Sequence, residues 1–166
     1  MASQTEIAQE EIGEGIKYGI ALEHTSSETC ICSVVTHEVT MHCNGLADDP
    51  ERIESIPAIA QHVVAGVYES HVPFHSFAIS ELTRGILHGL VCVGLDVSYV
   101  TRPATKGIRE GVTSLGEYSQ EAEQAIREGV RQTLEDLGMS RLEEDQSLDL
   151  PGFFLNQTAT FGEAMY

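Results

Sequence analysis

Phe74, Phe77, Ala78, Leu82, Ile86 and Gly89 recur at intervals of three and four. That spacing gathers apolar side chains on one face of a helix. His75, Ile79, Leu82 and Ile86 share a second stripe, so the segment is apolar over more than half its circumference. The pattern predicts a helix over residues 73–89, with Pro73 in the first turn, where a missing amide hydrogen costs no bond. It also predicts burial on two sides, by a sheet and by another helix or subunit. Ser80, Glu81, Arg84 and His88 form the narrow polar stripe. Glu81 and Arg84 are three apart, and Arg84 and His88 four apart, so these side chains can meet.

Two further helices follow from the same periodicity. Ile53, Ile56, Ala60, Val63 and Val67 make one face, with Asp49 and Pro50 as an N-cap and first helical residue. Pro57 then either kinks that helix or begins it, with Ser55 as the cap. His62 falls off the apolar stripe. Residues 119–137 give the clearest helix, with Ser119 as cap and Gly138 as terminator. Ala122, Ile126, Val130, Thr133 and Leu137 face inward, and Glu123 with Arg127 and Arg131 with Glu135 are i,i+4 pairs.

Alternation and β-branched runs predict strands elsewhere. Residues 17–24 alternate. Residues 29–36 and 39–44 read as a hairpin turning at His37 and Glu38, with Cys30, Cys32, Val34, Met41 and Cys43 on one face. Residues 91–101 read as a central strand containing one acid, Asp96. Residues 153–161 read as a last strand, and Phe153, Phe154 and Phe161 suggest docking at an interface. No internal repeat stands out. The order is strand, hairpin, two helices, strand, helix, strand. It predicts an α+β two-layer domain, helices packed on one face of a mainly antiparallel sheet. Residues 1–15 are expected to be a polar arm and residues 16–166 a single domain.

Composition narrows the function classes. At 166 residues and 42% apolar content, the chain can bury a core of its own. It has no 18-residue apolar span and no apolar signal core at its N-terminus, so a cytoplasmic protein is expected. The net charge of −17 repels nucleic-acid phosphates and anionic membranes, and neither is expected as a partner. The four cysteines form no C-x-x-C pair and read as core thiols rather than as a zinc set from Cys30, Cys32 and Cys43.

The candidate chemistry rests on histidines and on a local basic cluster. Arg102, Lys106 and Arg109 stand within eight residues in an acidic chain, inside the longest irregular stretch, 102–118. Such a loop can bind a carboxylate or phosphate, or pair with acids such as Glu110 and Glu117. His71 and His75 are four apart, a spacing that can hold a divalent metal, although Pro73 between them separates their faces. The run YESHVPFH with LTRG and VGL after it resembles, in separated pieces, the metal- and histidine-dependent antiterminators of histidine utilisation. The gaps between the pieces and the strongly acidic charge leave the chain unassigned.

Two functions are therefore expected. One is a small-molecule enzyme acting on an anionic substrate. Arg84, Arg102, Lys106 and Arg109 would bind that substrate, and His71, His75 and Glu81 would carry acid/base chemistry, or His71 and His75 a divalent metal. The other is a non-catalytic oligomeric ligand-binding, regulatory or scaffold protein. The two-sided central helix and the aromatic tail suggest a homo-oligomer in either case.

Overall fold

A computed structural model describes residues 4–23, 31–44, 53–70 and 72–139. These residues form six helices and no strand: α1 (Gln4–Glu23), α2 (Ile31–His42), α3 (Ile56–Glu69), α4 (Ser76–Cys92), α5 (Val97–Ser114) and α6 (Gln120–Asp136). The expected α+β sheet is thus replaced by an all-helical, bundle-like fold. The last expected strand, 153–161, lies outside the described residues, as do Cys30, Asp49, Pro50 and His71.

Each misread strand has a physical explanation. Residues 31–42 are rich in valine and threonine, yet Ile31, Val34, Val35 and Val39 are buried together at helical spacing. A short apolar run fits period 2 and period 3.6 about equally well, and here helix packing decides. The threonines are accommodated because their hydroxyls bond carbonyls one turn back: Thr36 donates to the Cys32 oxygen at 2.7 Å and Thr40 to the Thr36 oxygen at 2.7 Å. Residues 17–23 continue α1, with Ile12, Ile16 and Ile20 in the core.

Residues 91–101 are split at a turn, where Gly94 takes φ +101°, a left-handed conformation that suits glycine. Asp96, the odd acid of the supposed strand, is the N-cap of α5. Its Oδ1 accepts from the Ser98 amide at 2.9 Å and from the Ser98 hydroxyl at 2.7 Å. The supposed loop 102–118 is largely α5. Pro103, Gly107 and Gly111 are breakers in isolation, but α5 runs through Pro103 and buries both glycines against α3.

The expected helices are present with corrected boundaries. The helix assigned to 73–89 begins after Pro73, with His75 as N-cap, and ends at Cys92. It is covered on its several sides by α2, α3, α5 and α6, so helices alone supply the burial assigned to a sheet. Phe77 is 60% exposed and leaves the expected inner face. Pro57 lies in the first turn of α3 rather than kinking it, and Ser55 stands at the N-cap position without a side-chain capping hydrogen bond. α6 matches its expected span: the Ser119 hydroxyl accepts from the Ala122 amide at 3.0 Å, and Gly138 follows at φ +75°.

The helices are arranged as three stacked hairpins. The principal contacts join each helix to the one two places on: α1 to α3, α2 to α4, α3 to α5, α4 to α6. Matching positions give the directions. Val35 and Val39 of α2 meet Gly85 and Gly89 of α4 in the same order, so this pair is parallel. Pro57 and Val64 meet Gly107 and Gly111, which makes α3 and α5 parallel too. By contrast, Gly15 meets Glu38 and Gly19 meets Val34, so α1 and α2 are antiparallel. The odd helices form one layer and the even helices a second.

A short sequence unit underlies this stack. G-I-x-x-G followed by an aliphatic residue stands at 15–20, 85–90 and 107–112, and recurs with alanine first at 125–130. Its isoleucines, Ile16, Ile86, Ile108 and Ile126, are all fully buried. Its glycines make room for a neighbouring helix: Val34 fits against Gly19, Val35 and Val39 against Gly85 and Gly89, the Pro57 backbone against Gly107 and Val64 against Gly111.

Candidate functional site

The α4–α6 seam holds the first polar cluster. Arg84 and His88 lie one turn apart on α4 and both reach the last residue of α6. Asp136 Oδ2 accepts from Arg84 Nε at 2.7 Å and lies 2.8 Å from His88 Nε2. Glu81 Oε2 is 3.6 Å from Arg84 Nη1. The hydrogen bond from Arg84 is the main cause holding the Asp136 carboxyl below its usual range; burial opposes it and His88 adds to it. The same pairing raises the Arg84 guanidinium. Asp136 sits at the negative end of the α6 dipole, so the two α4 side chains also offset an unfavourable position.

The α5–α6 seam holds the second cluster. Glu123 is 5% exposed. Its Oε1 accepts from Arg109 Nε at 3.1 Å and from the Tyr118 hydroxyl at 2.6 Å, and its Oε2 lies 3.7 Å from Arg127 Nε. Arg109 Nη2 and Glu123 Oε2 are buried without a hydrogen-bond partner. Burial first, and then the bond to Glu123, push the Tyr118 hydroxyl above its ordinary range.

The third feature is an open groove of about 600 Å³ lined by Lys17, Tyr68, Glu69, Val72 and Phe74. Tyr68 and Phe74 meet edge to face, with ring centroids 5.3 Å apart. Lys17 Nζ stands 3.8 Å from Glu69 Oε1 and 4.0 Å from Glu14 Oε2.

The residues singled out from the sequence fall in several places. Glu81 and Arg84 do meet, in the α4–α6 cluster. His75 is exposed at the start of α4, where its Nδ1 accepts from the Phe77 amide at 3.4 Å. Nine residues of helix separate it from Arg84, about 13 Å of rise. Arg102 and Lys106 are exposed on α5, and Arg109 is tied to Glu123. α5 turns back alongside α4 after residues 93–96, so Arg102 lies toward the end of α4 opposite His75. Cys32 and Cys43 are eleven residues apart along α2 and its end, about 16 Å, not facing partners of a hairpin. Among the described residues no three His, Cys, Asp or Glu side chains gather as a metal-ligand set.

Sequence spacing alone does not mark Asp136, Glu123 and Tyr118 as members of polar clusters. The i,i+4 pattern announced Glu123 with Arg127, but only the stacking of α5 on α6 brings in Arg109 and Tyr118. No helix among the described residues is long and apolar enough to cross a membrane. No protein-family model, curated protein or solved structure matches this chain.

Proposed function

We propose that this protein is a non-catalytic binding scaffold, a short stack of helical hairpins that presents a surface to a partner. The observation that carries this reading is the fate of the candidate anion-binding arginines. Arg84 and Arg109 each direct Nε at a carboxylate of the neighbouring helix, Asp136 and Glu123. Groups committed in this way hold helices together and are poorly placed to recognise a substrate. The groove instead lies at the end of α3, away from Arg102 and Lys106. The thiols of Cys32, Cys43 and Cys92 favour a cytoplasmic setting for this role.

A thermal-shift screen against carboxylate and phosphate metabolites tests the proposal. The scaffold reading expects no metabolite to raise the melting temperature through the basic residues. A stabilising metabolite whose effect disappears in an Arg102→Ala, Lys106→Ala double variant would replace this reading with the substrate-binding one.

A further inference from the structure

We infer that the groove between α1 and the end of α3 receives a cationic, partly apolar segment of a partner protein, a basic side chain beside an aliphatic one. This deepens the scaffold reading and rests on it. The floor is apolar: Val72 is buried, and Tyr68 and Phe74 offer their rings. Aromatic faces attract guanidinium and ammonium groups. Of the charges at the rim, Glu69 and Lys17 line the groove, and Glu14 stands one turn back on α1 within 4.0 Å of the Lys17 ammonium. All three rim side chains are well exposed, at 73%, 55% and 46%, so their mutual ion pairs are weak and yield to an incoming cation.

Charge selects among occupants. A net charge of −17 steers basic segments toward the surface and acidic ones away. A second copy of the chain would bring the same charge and the same two rim carboxylates to the contact, a like-charge juxtaposition.

The test uses the full chain and a short fluorescein-labelled peptide of alternating Arg and Leu, followed by fluorescence anisotropy. A peptide of alternating Glu and Leu is the charge control. Glu69→Lys and Tyr68→Ala are expected to weaken binding of the Arg–Leu peptide by about tenfold each, with far-UV circular dichroism unchanged. Glu54→Lys makes the same charge change at the other end of α3, where Glu54 is exposed; it is expected to leave binding within about twofold. Equal losses in Glu54→Lys and Glu69→Lys would reduce the effect to diffuse attraction and overturn the inference. So would stronger binding of the Glu–Leu peptide, no binding of either peptide, or a dimer that Tyr68→Ala dissolves. These failures leave the scaffold reading in place, because that reading falls only to a metabolite bound through Arg102 and Lys106.

Discussion

Gly66 of α3 lies against Gly13 of α1 so closely that a Cβ on Gly66 would stand 2.6 Å from the Gly13 carbonyl oxygen. Backbone cannot step aside as a flexible side chain can. In an exposed helix, replacing glycine by alanine gains about 1 kcal/mol. Here the sign should reverse. Gly66→Ala is expected to cost about 1–3 kcal/mol and several degrees of melting temperature. Gly111→Ala should be milder, since the three atoms nearest its Cβ all belong to the Val64 side chain, at 3.1–3.3 Å. Thermal unfolding by circular dichroism measures both, and equal or stabilising effects would count against close packing.

Glu123 is the most buried acid among the described residues, and two arginines and a phenol close around it. Removing one member strands the charges of the others. Glu123→Ala should therefore destabilise by about 3 kcal/mol, whereas the partly exposed Arg127→Ala should cost less. Urea titration reads both changes. A near-neutral Glu123→Ala would mean that the α5–α6 seam does not depend on this cluster.

Tyr118 gives an alkaline signature of the same cluster. Its folded-state pKa is raised, by burial and by the bond to Glu123. The associated stability is complete below the ordinary tyrosine value near 10 and is lost as pH rises through the higher folded value. Ultraviolet titration of the phenolates should show a late-ionising tyrosine that Tyr118→Phe removes.

Asp136 gives the acid counterpart. Its folded-state pKa is depressed, chiefly by the Arg84 hydrogen bond. Its contribution is present above the ordinary aspartate value near 4 and lost as pH falls through the lower folded value. Asp136→Asn should lower stability at neutral pH by no more than about 1 kcal/mol, since the cluster is partly solvated. The gap to the parent protein should close on acidification. A gap independent of pH would assign the effect to packing instead.

Helix-forming signals in the sequence were legible where caps and periodicity agreed. Ser119, the inward stripe through Val130, and Gly138 all mark α6, and the structure places each in that role. They failed where local preference and packing disagree. Val34, Val35 and Thr36 favour a strand locally, and Gly107 and Gly111 favour a loop. Both segments are helical because their small or branched residues fit a close neighbour, a fact set by the stack. The recurring G-I-x-x-G unit is the sequence signal for that stack, and six residues are too short to stand out as a repeat. The polar clusters were half legible: Glu81, Arg84 and His88 share a stripe by spacing alone, but Asp136 joins them across about fifty residues of chain.

Gly13 and Lys17 of α1 meet Gly66 and Glu69 of α3 in the same order, so the two helices are parallel; this pairing underlies both the hairpin stack and the groove, and one reaction interrogates it. The chain has two lysines, Lys17 and Lys106. Zero-length carbodiimide cross-linking with peptide mass spectrometry therefore has few possible products. The structure predicts a Lys17–Glu69 link, from an amine and a carboxylate 3.8 Å apart. A dominant Lys17–Glu54 link, at the opposite end of α3, would reverse the pairing and contradict the stack.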